Sequence, residues 1–71
     1  MPRAPRISAK EIISVLEAND FALTRQSGSH KIYRNAEGKR VTVPFHGAQI
    51  LHPKTLASIL EQAALTVDDI V

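Results

Sequence analysis

Cysteine and tryptophan are absent from the 71 residues, and two phenylalanines and one tyrosine are the only aromatic rings. Without cysteine there is neither a disulfide framework nor a thiolate metal site, and the composition fits a reducing, cytoplasmic setting. No carboxylate pair lies near the basic middle of the chain, and no two histidines stand four residues apart. The common zinc patterns are therefore missing, and neither a metal nor a cofactor is expected. With three glycines in all, the chain has no glycine-rich nucleotide cradle. No apolar run approaches the roughly 18 residues of a membrane span, so no membrane partner is expected. The opening Met-Pro-Arg-Ala-Pro-Arg does not read as a secretory leader, because the amphipathic segment behind it is charged and lacks a small-residue cleavage site.

What is present is an uneven distribution of charge. The formal net charge is +2. Residues 1–20 are balanced, and residues 54–71 set Lys54 against Glu61, Asp68 and Asp69. Between them, Arg25, Lys31, Arg34, Lys39 and Arg40 face Glu37 alone. A basic middle third of this kind is a modest footprint for a polyanion, though a solvated strand face would look the same.

The length suits one domain spanning residues 1–71, with a flexible arm over 1–7. Ser8 followed by Glu11 forms a capping box, and Ala9, Ile12, Ile13 and Leu16 then recur on one helical face. The spacing predicts a helix over 8–19, ending at Asn19-Asp20, which tolerate left-handed geometry. Strands are expected over 21–26, 30–34 and 40–44, separated by the turns Ser27-Gly28-Ser29 and Asn35-Ala36-Glu37-Gly38. In the first, Phe21, Leu23 and Arg25 alternate with Ala22, Thr24 and Gln26. Pro44 lacks the donor needed to continue a ladder and ends the third strand. A second helix over 53–64 starts at Pro53, with His52 as its cap and Leu56, Ile59, Leu60 and Ala63 as its apolar stripe. Thr66 and Asp69 suit a final short turn. The expected fold is α+β, in the order α-β-β-β-α, with two helices on one face of a small antiparallel sheet. The expected core is Ile12, Leu16, Leu23, Val41, Val43, Leu56, Ile59 and Leu60.

Cutting a phosphodiester without a metal requires a base for the 2′-hydroxyl, positive charge for the developing oxyanion and a proton for the leaving oxygen. Histidine suits both proton steps, since its ordinary pKa is about 6.5. His30 follows Gly28-Ser29 at the mouth of the second strand, with Lys31 and Arg34 within one strand's length. A glycine there would let a phosphate approach the backbone, and equally it could simply turn a hairpin. His46, in Pro44-Phe45-His46-Gly47, is a candidate phosphate ligand or proton donor, or a solvated loop residue. Tyr33 and Phe45 could stack on unpaired bases or pack in the core. Period-two alternation puts His30, Ile32 and Arg34 on one face and Lys31 and Tyr33 on the other. If Ile32 is core, His30 points inward; if Tyr33 is core, His30 and Arg34 face solvent together.

The succession Gly28-Ser29-His30, Ile32-Tyr33-Arg34, Val41-Thr42-Val43-Pro44 and His46-Gly47, closing with Thr55-Leu56, Ile59-Leu60 and Gln62-Ala63, resembles the HicA family of messenger-RNA interferase toxins over roughly residues 8–70. The resemblance implies a fold like a double-stranded-RNA-binding domain, RNA cleavage with His30 as the catalytic residue, and neutralisation by a HicB-type antitoxin. Gly28, Ser29, Arg25, Lys31, Arg34, Lys39 and Arg40 are then the expected RNA contacts. The alternative is a module of the same fold that binds RNA without cutting it, for which a titrating histidine is unnecessary. Three departures stand out. Asp20 replaces a glycine usual after the first helix, Phe45 replaces a polar or basic residue before the second histidine, and Ala64 replaces a glycine common after Gln-Ala.

Overall fold

In the computed structural model, which describes residues 6–45 and 49–70, Ser8 closes the expected capping box. Its Oγ accepts from the Glu11 N–H at 3.2 Å, and Glu11 Oε1 accepts from the Ser8 N–H at 3.2 Å. Helix α1 runs Ala9–Ala18 and buries Ala9, Ile12 and Leu16. Beyond it Asp20 takes a left-handed φ of 67°, so the chain turns at the position where the resemblance leads one to expect glycine. The Phe21 N–H then donates back to the Leu16 carbonyl at 3.0 Å. Ile7, at the inner end of the expected arm, is buried, and its carbonyl accepts from the Leu51 N–H at 2.9 Å. The rest of that arm, residues 1–5, lies outside the described residues.

Three strands follow, β1 Ala22–Ser27, β2 His30–Arg34 and β3 Arg40–Pro44, forming one antiparallel sheet in the order β1-β2-β3. Gly28 has a φ of 56°, as the first central residue of a two-residue hairpin turn requires. An added Cβ there would meet nothing within 4 Å, so the glycine serves the turn rather than making space. In the second turn Asn35 Oδ1 accepts from the Glu37 and Lys39 N–H groups at 3.1 and 2.9 Å. Gly38 completes that turn at a φ of 84°.

Helix α2, Pro53–Ala63, begins at His52, whose Nδ1 accepts from the Lys54 N–H at 3.1 Å. It buries Leu56, Ile59, Leu60 and Ala63. Ala64 then adopts a left-handed φ of 57°. The Leu65 N–H reaches back to the Leu60 carbonyl at 2.8 Å and the Ala64 N–H to that of Glu61 at 3.1 Å, a Schellman arrangement. A 3₁₀ turn, Val67–Asp69, carries the expected Thr66–Asp69 cap. The fold is therefore α+β in the order α-β-β-β-α.

The core joins both helices to one face of the sheet through Ile12, Leu16, Tyr33, Val41, Val43, Leu56, Ile59 and Leu60, with Ile7, Ala9, Phe21 and Ala63 around them. Leu23 is a correction to the expected core. It is 47% exposed, and so is the whole of β1 by class. Leu23 pairs with Tyr33 and shares its face, but β1 is the edge strand and the helices pack over β3. Burial on the correct face therefore fails for want of a covering layer.

Candidate functional site

Buried Tyr33 decides the orientation of β2. Its register partners place Lys31–Val43 and Tyr33–Val41 on the helix-covered face. His30–Pro44, Ile32–Thr42 and Arg34–Arg40 consequently lie on the open face. His30 is exposed at the hairpin end of the strand, paired with Ser27 on one side and Pro44 on the other. The Phe45 N–H donates to the Ser29 carbonyl at 2.6 Å, tying the exit of β3 to the turn that carries His30.

A bulge brings Arg25 onto this open face. Simple alternation along β1 would give Leu23 and Arg25 the same side. Instead Leu23 pairs with Tyr33 while Arg25 pairs with Ile32, leaving Thr24 as the extra residue. Thr24 Oγ1 donates to the Ile32 carbonyl at 3.1 Å and pins the bulge. Arg25 thereby joins His30, Arg34 and Arg40 around half-buried Ile32. No motif signals Thr24. A bulge depends on cross-strand register, which one strand's residues do not encode.

Two of the expected cations stand apart from this group. Lys31 lies on the opposite face, with Nζ 4.0 Å from the centroid of the Phe45 ring. The Phe45 departure thus supplies an aromatic surface for a lysine, a cation–π contact. Lys39 sits in the second turn, its Nζ 3.5 Å from Glu37 Oε2. That is the only ion pair among the described residues, so Arg25, Arg34 and Arg40 have no carboxylate partner there. Gly28 and Ser29 form the turn that carries His30, and His46 lies outside the described residues. Among the described residues no three His, Cys, Asp or Glu side chains gather as a metal site, and no helix is long and apolar enough to cross a membrane.

The far edge of the sheet is closed by a side chain. Gln62 Oε1 on α2 accepts from the Thr42 N–H of β3 at 3.1 Å, while its Nε2 donates to Ser58 Oγ at 3.1 Å. What remains accessible is the open face and the β1 edge.

Chemically, this arrangement offers an exposed imidazole at one end of a strand and unpaired guanidiniums along the same face. It can exchange a proton with a bound strand and hold that strand's phosphates. Residues 9–65, well over half of the chain, match the family model described as the HicA toxin of bacterial toxin–antitoxin. No curated protein matches the chain.

Proposed function

Because the chain belongs to the HicA toxin family of toxin–antitoxin systems, we propose that it is an endoribonuclease that cleaves messenger RNA with His30 as its base. The observation that carries this reading is the shared face: His30 is exposed at the rim of the same open surface as three arginines without carboxylate partners.

In the proposed reaction a neutral His30 accepts the 2′-hydroxyl proton of the bound nucleotide. The 2′-oxygen attacks the adjacent phosphorus as the bond to the 5′-oxygen breaks, and water, or His46, protonates the leaving oxygen. The products are a 2′,3′-cyclic phosphate and a 5′-hydroxyl end. Arg25 is the cation best disposed to stabilise the extra negative charge, because its partner Ile32 is the same-face neighbour of His30. Lys31 is poorly placed for that role, since its ammonium lies over Phe45 on the other face. The proton steps use side chains alone, so cleavage should persist in chelator. A HicB-type antitoxin would neutralise the toxin by covering the rim that bears His30.

The test is cleavage of an RNA strand by purified protein in chelator, with His30→Ala and His30→Gln beside the wild type. Removing a general base typically costs about 10²–10⁴ in rate. Both variants should lose cleavage on that scale while retaining their fold and RNA affinity. An all-deoxy strand should bind and stay intact. Full activity in His30→Ala, or equal cleavage of the deoxy strand, would refute the mechanism.

A further inference from the structure

A groove of about 280 Å³ on the open face, lined by Thr24, Arg25, Ile32, Arg34 and Arg40, lies toward the end of β2 away from His30. Arg34 and Arg40 stand directly opposite each other across β2 and β3, a like-charge pair that weakens the sheet. Both are exposed, and no carboxylate among the described residues offsets either one. Nothing within the described fold uses this pairing, whereas an anion seated between the two guanidiniums would relieve it. The groove is smaller than the roughly 300–1,000 Å³ of drug-sized ligand sites. Its contents are three bidentate donors, a threonine hydroxyl and one apolar floor residue. That set fits a phosphate with its sugar.

Resting on the nuclease reading above, we propose that Arg34 and Arg40 form a second phosphate subsite that holds the RNA strand several nucleotides from the bond being cut. The spacing follows from the strand itself. Four residues separate His30 from Arg34, about 13 Å at the usual rise. A stacked nucleic-acid strand advances about 3.4 Å per nucleotide, so the two points are about four nucleotides apart, or fewer if the strand is extended. Ile32 lies midway on the same face, an apolar surface between the reacting and the anchoring phosphate. The consequence is a length requirement. A strand of two or three nucleotides reaches one point and not both, whereas one of eight reaches both and gains affinity from the second.

The experiment measures binding of uncleavable 2′-O-methyl strands of three and eight nucleotides to the full chain, by fluorescence anisotropy across a salt series. Arg34→Gln/Arg40→Gln is compared with Lys10→Gln/Lys54→Gln, which removes the same net charge from exposed helix positions. The arginine variant should lose about tenfold or more in affinity for the eight-nucleotide strand, the scale of losing a hydrogen bond to a charged group. Its salt slope should fall by about 1.4, or about 0.7 for each phosphate contact on a single strand. Its preference for eight over three nucleotides should collapse. The lysine variant should keep the salt slope and the preference. Thermal stability of the arginine variant should be equal to or above that of the wild type, because the repulsive pair is gone.

Equal losses in the two variants would overturn the subsite, leaving only general attraction. So would an arginine variant that keeps RNA affinity but no longer binds the antitoxin, which would assign the face to the protein partner. Because the strands cannot be cut, these outcomes are independent of the nuclease reading. Selective loss of long-strand binding in a protein whose wild type cleaves no RNA would retain the groove and discard the chemistry.

Discussion

Replacing Ala64 by glycine should stabilise this protein, although glycine ordinarily weakens whatever it joins. Ala64 follows α2 at a φ of 57°, and its N–H and that of Leu65 close the helix onto the Glu61 and Leu60 carbonyls. The left-handed conformation crowds Cβ against the following carbonyl oxygen and costs a non-glycine residue roughly 1–2 kcal/mol. Ala64→Gly removes that cost but adds about 0.5–1 kcal/mol of backbone entropy lost on folding. The expected net is a gain of about 0.5–1 kcal/mol, which for a 60–100-residue domain raises Tm by about 2–8 °C. The control is the same substitution at Ala57, exposed within α2. There the conformation is right-handed and only the entropic term applies, so Tm should fall, by about 0.8–1 kcal/mol of stability. Because the unfolded-state contribution is common to both variants, their difference isolates the left-handed penalty. Thermal melts followed by circular dichroism measure both. A Tm for Ala64→Gly at or below that of Ala57→Gly would refute the reasoning, since it would mean that the position carries no strain glycine can relieve.

Leu56 is fully buried and Leu23 is 47% exposed, so one substitution should separate them. Leu56→Ala should cost about 2–5 kcal/mol, whereas Leu23→Ala should stay near 0.5 kcal/mol, as read by urea denaturation midpoints. Comparable losses would mean that β1 is covered after all. Tyr33 has its pKa raised above the usual 10, chiefly by burial and secondarily by the Glu17 carboxylate. A group raised in the folded state contributes stability that is present below the unfolded value and lost as pH climbs through the folded one. Unfolding free energy should therefore decline above about pH 10, and more steeply in the wild type than in Tyr33→Phe, as measured by denaturation at pH 8, 10 and 11. Identical pH profiles would count against a buried phenol.

Much of this molecule was legible residue by residue. The α1 start needs only Ser8 and Glu11 within one turn, and the α2 start needs only His52 and Pro53. Local chemistry is sufficient there because the interacting groups are neighbours in the chain. The same holds for the Gly28 hairpin and for the left-handed exits at Asp20 and Ala64, where an expected glycine is absent but the backbone conformation persists. The arrangement of the site was a different matter. Alternation along β2 is symmetric: it separates His30 from Lys31 but cannot say which of them meets the helices. That choice was made by packing Tyr33 with Val41 and Val43 beneath α1 and α2. Arg25 reached the open face only through the Thr24 bulge, and Leu23 stayed exposed because β1 lies at an edge the helices do not cover. The sequence by itself determined the elements, their caps and the identity of the reactive histidine's neighbours along the chain. Tertiary structure decided which cations share its face, because cross-strand register and the coverage of a sheet depend on residues that no single segment contains.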